Sequence, residues 1–249
     1  MSKQGRDQNR TERAAAVRAE QARKERNRRV ALVAGIVIVL GAIVAAGAWL
    51  GGGSSKDSTG TDSSSQGLVA GAASLKMGKP DAPVKVVVYE DFLCPFCREL
   101  EVSTRDFLKE NADKGRVYVE YQPIHLLRQY DYSGRALNAF AAVLKHGSPS
   151  EALALHTILF DNQPYEQTAD QTSEAQLTDW VKQAAGDNAE VLAAMKTQDT
   201  AFFDAAQKAM TDADVQSTPT VFINGKKLPA SAVTQMVTDI ETAVEQGNQ

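Results

Sequence analysis

The 249-residue chain has two cysteines, and they sit in one motif, Cys94-Pro95-Phe96-Cys97. The motif directly follows the apolar run Val84-Lys85-Val86-Val87-Val88-Tyr89, which reads as a buried strand of β-branched residues without turn signals. Pro95 suits the first turn of a helix, where its missing N–H is not needed. A Cys-x-x-Cys where a strand hands over to a helix is a redox arrangement far more often than a structural one. As a crosslink it would close a tiny loop and remove little unfolded-chain entropy, so stapling explains it poorly.

The position of Cys94 carries its own chemistry. A helix N-terminus presents unsatisfied N–H groups and the positive end of the macrodipole. Both lower a thiol pKa there and enlarge the thiolate fraction. Cys94 is therefore expected as the nucleophile and Cys97, one turn further in and more buried, as the resolving thiol. A structural zinc site would need two more ligands at suitable spacing. A c-type haem would need His directly after Cys97, where Arg98 stands. No cofactor or metal is expected.

Charge divides the chain. Residues 1–29 hold ten Lys or Arg against four Asp or Glu, about +6; the remainder holds 17 against 27, about −10. Between the basic leader and the acidic bulk, Val30 to Leu50 contains no charged residue and is long enough, as a helix, to span roughly 30 Å of hydrocarbon. Arg26, Arg28 and Arg29 precede it, so the leader is expected in the cytoplasm and the C-terminal bulk outside. Cleavage as a signal peptide is the other reading, with small residues at Ala45-Ala46-Gly47-Ala48 and Arg28-Arg29 as a twin-arginine pair. The long leader, and an apolar run exceeding the usual ~7–15 residues, favour an anchor. The leader lacks interleaved aromatics, which argues against nucleic-acid binding. Residues 51–73 read as a flexible linker, its first part of Gly, Ser, Thr, Asp and Gln with Lys56. The folded domain is expected over 74–249.

Within that domain the pattern is α/β. The helix opened by Pro95 continues to about Ala112, and Lys114-Gly115 ends it. Val117 to Tyr121 alternates as a second strand, stopped by Pro123. A helical stretch follows within about 128–213, in pieces Ala136–Lys145, Ser150–Phe160, Glu174–Ala185 and Ala189–Met210. Thr220-Val221-Phe222-Ile223 reads as a strand, Asn224-Gly225 as a type I′ hairpin turn, and Lys226-Lys227-Leu228 as its partner. A last amphipathic helix aligns Val233, Met236, Val237, Ile240 and Val244.

Three segments carry a family likeness: Gly78-Lys79-Pro80-Asp81-Ala82-Pro83-Val84, then Glu90-Asp91-Phe92-Leu93-Cys94-Pro95-Phe96-Cys97, and Ser217-Thr218-Pro219-Thr220-Val221-Phe222-Ile223-Asn224-Gly225. With the helical insertion they resemble the DsbA-like branch of the thioredoxin superfamily over about Ser74 to Gln249. The apolar run resembles the anchor of tethered members in bacteria lacking a conventional periplasm. The resemblance implies a thioredoxin-like fold with an inserted α-helical subdomain, here preceded by one transmembrane helix. It implies thiol–disulfide exchange with thiol-bearing exported proteins and reoxidation by a quinone-linked membrane partner. It makes Thr218-Pro219 the cis-proline element that lies beside the cysteines and pairs with an extended substrate peptide.

Four further residues are expected to tune the site. Pro95 and Phe96 have no side-chain donor for the thiolate; they also start and pack the helix. Family members with His in place of Phe96 resemble the strongest oxidants. Relatives commonly carry a buried acid six residues before the first cysteine, a position held here by Val88. That task is open to Glu90 or Asp91, either as acceptor of the Cys97 proton or through repulsion on Cys94; solvated loop carboxylates are the alternative. His125, His146 and His156 read as structural or surface residues. Phe140, Phe160, Trp180, Phe202 and Phe203 read as core of the insertion. Asp214-Val215 stands where relatives commonly have Gly-Val, so the turn there is expected to be built differently.

The leading function is oxidation of exported proteins by a tethered thiol–disulfide oxidoreductase. A reductase or isomerase of the same fold, and a non-catalytic envelope chaperone, are the alternatives.

Overall fold

The computed structural model describes residues 67–247. The expected leader, transmembrane helix and most of the linker lie outside the described residues; among the described residues no helix is long and apolar enough to cross a membrane.

A mixed sheet carries the domain. Its strands are β1 (Val69–Ala70), β2 (Leu75–Met77), β3 (Val84–Glu90), β4 (Val117–Pro123), β5 (Thr220–Ile223) and β6 (Lys226–Lys227), in the order β1-β2-β4-β3-β5-β6. β3 and β4 run parallel, with Val84 opposite Val117 and Glu90 opposite Pro123. The other pairings are antiparallel. The parallel pair requires a crossover, and α1 (Pro95–Asp113) supplies it. β3 is central, and Val84, Val86 and Val88 are all buried, which is what a β-branched run without polar alternation favours.

Two features at the edge were not expected. β1 and β2 begin before or at the start of the expected domain, so the fold starts earlier than Ser74; Val69 lies in the stretch read as linker. Lys76 of β2 pairs with both Val69 and Glu120, and Ser74 Oγ donates to Glu120 at 2.7 Å. Strands of two and three residues are too short to show a period.

The insertion comprises α2 (Asp131–His146), α3 (Pro149–Asp161), a 3-10 turn (Glu166–Gln171), α4 (Glu174–Ala185), α5 (Ala189–Ala194) and α6 (Thr200–Asp212). α3 opens with a capping box, Ser148 with Glu151. The single helix expected over Ala189–Met210 is two. Asp199 caps α6 by accepting from Phe202 N. Asn138 of α2 bonds the Met195 and Thr197 carbonyls and accepts from Asp199 N. Those bonds take up backbone groups that a continuous helix would use itself. Phe140, Phe160 and Phe202 are buried core, as expected; Trp180 and Phe203 are only partly buried against it.

Asn224 and Gly225 both have positive φ, 49° and 79°, as a type I′ turn between β5 and β6 requires. Asp214 also has φ 49°. Asp occupies there the left-handed conformation that glycine takes readily, and its short polar side chain tolerates it. α7 (Val233–Gln246) buries Val233, Met236, Ile240 and Val244, with Val237 partly buried beside them.

Candidate functional site

The end of β3, the first turn of α1 and the entry to β5 meet at the cysteines. Cys94 is the N-cap of α1, and its carbonyl accepts from Cys97 N and Arg98 N at 3.1 and 3.2 Å. Pro95 is in the first turn, as expected. Both cysteines are free and buried. The Cys94 sulfur contacts the Thr218 carbonyl oxygen at 3.3 Å, and the Thr218–Pro219 peptide is cis.

The two thiols have opposite acidities. Cys94 is lowered from the ordinary thiol range to about 6. Hydrogen bonding from the Cys97 side chain is the largest cause; the Thr218 side chain and the backbone N–H groups of Cys97 and Phe96 add to it, against the opposing effect of burial. The Thr218 carbonyl acts the other way, since it can accept only while the sulfur keeps its proton. Cys97 is pushed well above its ordinary value, first by burial, then by hydrogen bonding to Cys94 and the charges of Cys94 and Glu90. One sulfur is thus ready to attack or leave as an anion, while the other holds its proton.

Glu90 and Asp91 are not solvated loop carboxylates; they are 1% and 0% exposed. Asp91 is a clamp. Its Oδ1 accepts from Leu93 N and its Oδ2 from Leu126 N and Leu127 N, each at 2.9 Å, while Ser133 Oγ donates to both oxygens. Its backbone carbonyl accepts from Cys94 N at 3.0 Å. The Asp91 side chain therefore shapes the loop before Cys94. Glu90 pairs with His156 Nε2 at 2.6 Å. Val88 is buried in β3.

Phe96 does not pack in the core. It is 61% exposed and lines a groove of about 530 Å³ with Thr218, Pro219, Leu228, Val233 and Met236. The groove mixes these apolar side chains with polar ones such as Glu99, Ser217 and Lys227, a surface on which an extended chain can lie.

The insertion reaches into the site through residues that sequence patterns did not mark. Gln163 Nε2 donates to the Phe92 and Cys94 carbonyls, each at 3.0 Å. Arg98 Nε donates to the Phe160 carbonyl at 2.9 Å. His156 is fully buried; its partnership with Glu90 spans 66 residues, and no local signal announces it. Among the described residues, no three His, Cys, Asp or Glu converge as a metal site.

The chain matches the sequence profile of the family described as Thioredoxin over residues 72–242. It is 30% identical over 165 residues to a protein of Bacillus cereus named "Probable disulfide bond formation protein D", covering 64% of this chain and 73% of that one. The fold resembles reduced DsbA from Mycobacterium tuberculosis with a TM-score of 0.56 and 23% identity, over 70% of this chain and 97% of that one. It also resembles MdbA, a thiol-disulfide oxidoreductase from Corynebacterium diphtheriae, with a TM-score of 0.59 and 22% identity, over 73% and 92% of the two chains. With the Cys-x-x-Cys at the head of α1 and the profile spanning nearly the whole described domain, the chain belongs to the thioredoxin family.

Proposed function

We propose that this thiol–disulfide oxidoreductase works outside the cytoplasm, tethered by residues 30–50, and passes its Cys94–Cys97 disulfide to exported proteins. A substrate thiolate attacks Cys94, Cys97 leaves, and a mixed disulfide forms. A second substrate thiol then attacks its own half of that bond and releases Cys94 as a thiolate. The substrate gains a disulfide, and the reduced pair remains. A quinone-linked membrane partner restores the disulfide.

The observation that carries this reading is the split acidity of the pair, Cys94 at about 6 and Cys97 well above the ordinary thiol. A stabilised Cys94 thiolate is a good leaving group and favours the reduced pair, which makes the disulfide an oxidant. The groove lined by Phe96, Thr218 and Pro219 supports a polypeptide substrate. The name of the Bacillus cereus relative supports the direction of transfer, and the uncharged run after Arg29 supports the tether.

Equilibration of the purified domain with glutathione tests the direction. An oxidase is expected at or above roughly −180 mV, and a value near roughly −270 mV would assign a reductase. Protease added to intact cells from outside should degrade the catalytic domain; full protection would place it in the cytoplasm.

A further inference from the structure

Behind the cysteines lies a line of buried ionisable groups that the exchange chemistry above leaves unused. It starts at Glu90, at the end of β3. Glu90 bonds His156 Nε2 at 2.6 Å, and its charge acts on Cys97. On the far side of the ring, His156 Nδ1 has no hydrogen-bond partner and stands 3.8 Å from Glu101 Oε1. Glu101 in turn holds Arg105 through Oε2, with Arg105 Nε at 2.9 Å. Arg105 also binds Asp161 at 2.8 Å, and Asp161 is half exposed. The line runs from Glu90, whose charge acts on the Cys97 sulfur, to half-exposed Asp161, and His156 is its midpoint.

We propose that His156 is the proton reservoir for Cys97, acting through Glu90, with the Glu101 carboxylate on its other side favouring the charged ring. The proposal rests on the thiol–disulfide exchange described above and adds the proton's route to it.

Three physical facts carry the argument. First, opening the disulfide turns Cys97 into a buried leaving anion, and burial makes that anion costly. The sulfur needs a proton as the bond breaks, and Cys97 is itself only 2% exposed. Second, a fully buried imidazole between two buried carboxylates suits the charged form. Burial opposes that charge, yet the Glu90 and Glu101 carboxylates outweigh it, and His156 is raised above its ordinary 6.5 despite repulsion from Arg105. The remaining polar neighbour is Tyr121 on β4, whose ring lies 4.5 Å from the imidazole and whose phenol is pushed up by burial. The other ring contacts are Phe92, Phe140 and Phe160, which cannot exchange protons. Third, a purely structural histidine would be expected to bond through both nitrogens, whereas Nδ1 is unpartnered at a separation from Glu101 that a small side-chain shift closes.

The step balances as follows. The substrate thiolate forms a bond to Cys94 Sγ, and the Cys94–Cys97 bond breaks with its electron pair going to Cys97. His156 gives its Nε2 proton to Glu90, which passes it to the Cys97 sulfur. Cys97 ends as a thiol, Glu90 as a carboxylate and His156 as a neutral ring. The neutral ring keeps its Nδ1 proton on the Glu101 side, and its unprotonated nitrogen is Nε2, facing Glu90. Reoxidation runs the same path backwards: the Cys97 proton returns through Glu90 to Nε2 and recharges the ring. Glu90 stands four residues before Cys94, on the strand that also carries Val88, so the acid and its reservoir come from different parts of the chain.

Rapid-mixing cleavage of the oxidised protein by glutathione tests this, with the rate expressed per glutathione thiolate so that the attacker's own ionisation drops out. In the natural protein that rate is expected to fall as pH rises through the His156 titration, because the donor is lost. His156→Gln should be about a hundredfold slower at low pH and flat with pH, while Cys94 alkylation keeps its own midpoint. Glu101→Gln, which leaves His156 in place, should move the inflexion to lower pH and gives a reading even if His156→Gln does not fold. A His156→Gln protein that is folded and keeps the natural rate and pH profile would overturn the relay, as would a Glu101→Gln inflexion that stays put. If the natural protein does not exchange with glutathione at all, the exchange reading itself fails, which is a separate outcome.

Discussion

The Cys94 sulfur lies 3.3 Å from the carbonyl oxygen of Thr218, a residue 124 positions further along the chain. That contact ties the first turn of α1 to the entry of β5. Thr218 is also a wall of the groove that Phe96, Pro219 and Met236 line. The Cys94 sulfur and the groove therefore meet at Thr218.

The Thr218 side chain is one of the groups that lower Cys94. Thr218→Val keeps the shape and removes the hydroxyl. The Cys94 midpoint should rise above about 6, by up to roughly one unit, so that the thiolate fraction near the midpoint drops several-fold. Iodoacetamide alkylation across pH measures it.

Phe96 leaves most of its ring in solvent beside the cysteines. A polypeptide lying in the groove would cover that ring, and covering an aromatic side chain stabilises a complex by about 1–3 kcal/mol. Phe96→Ala should therefore slow exchange with a reduced, unfolded polypeptide about tenfold, with a smaller loss against glutathione. The comparison of the two rates for one preparation checks the assignment.

Asp91 accepts from three backbone N–H groups and the Ser133 hydroxyl. Asp91→Ala leaves these buried donors without a partner, at about 1–3 kcal/mol for each one that finds no water. Urea unfolding should show a loss of at least about 3 kcal/mol. A smaller loss would mean that water replaces the carboxylate.

The reduced protein should show a pH-dependent stability that the disulfide form lacks. Cys94 has a folded pKa of about 6 and an unfolded value near 8.5. Its depressed acidity contributes stability fully present above the unfolded value and lost as pH falls through about 6. The full contribution is at most about 4 kcal/mol. Cys97, raised well above the ordinary thiol, contributes in the opposite sense: its share is present below the unfolded value and lost as pH climbs beyond it. The reduced-minus-oxidised difference should then rise from about pH 6 and peak close to about pH 8.5. Denaturation of both forms across this range gives the curve.

Much of this architecture was readable in residue patterns, because it rests on local rules. Val84 to Tyr89 could be little else than a buried strand; Asn224-Gly225 declares its turn; Pro95 announces a helix start; and the α7 stripe repeats at helical spacing. What stayed hidden depends on contacts across the chain. Val69–Ala70 and Leu75–Met77 are strands only because β4 and each other supply the pairing. The break at Asp199 depends on Asn138, 61 residues away. Cys94, Cys97, Thr218 and Pro219 converge as their motifs implied. Glu90 and Asp91 look like loop carboxylates in sequence, and only the folded insertion, bringing Ser133 and His156 against them, buries both. His156 itself sits in an ordinary helical stretch, so its place behind the cysteines had no sequence signal.

The central claim is that Cys94 is an anion at neutral pH while Cys97 keeps its proton. Ultraviolet thiolate absorbance of the reduced protein, titrated alongside a Cys94→Ser variant, tests it directly. The account predicts one ionisation at about pH 6 that disappears in Cys94→Ser. Absence of any thiolate signal below about pH 8.5, or a signal that survives in Cys94→Ser, would contradict it.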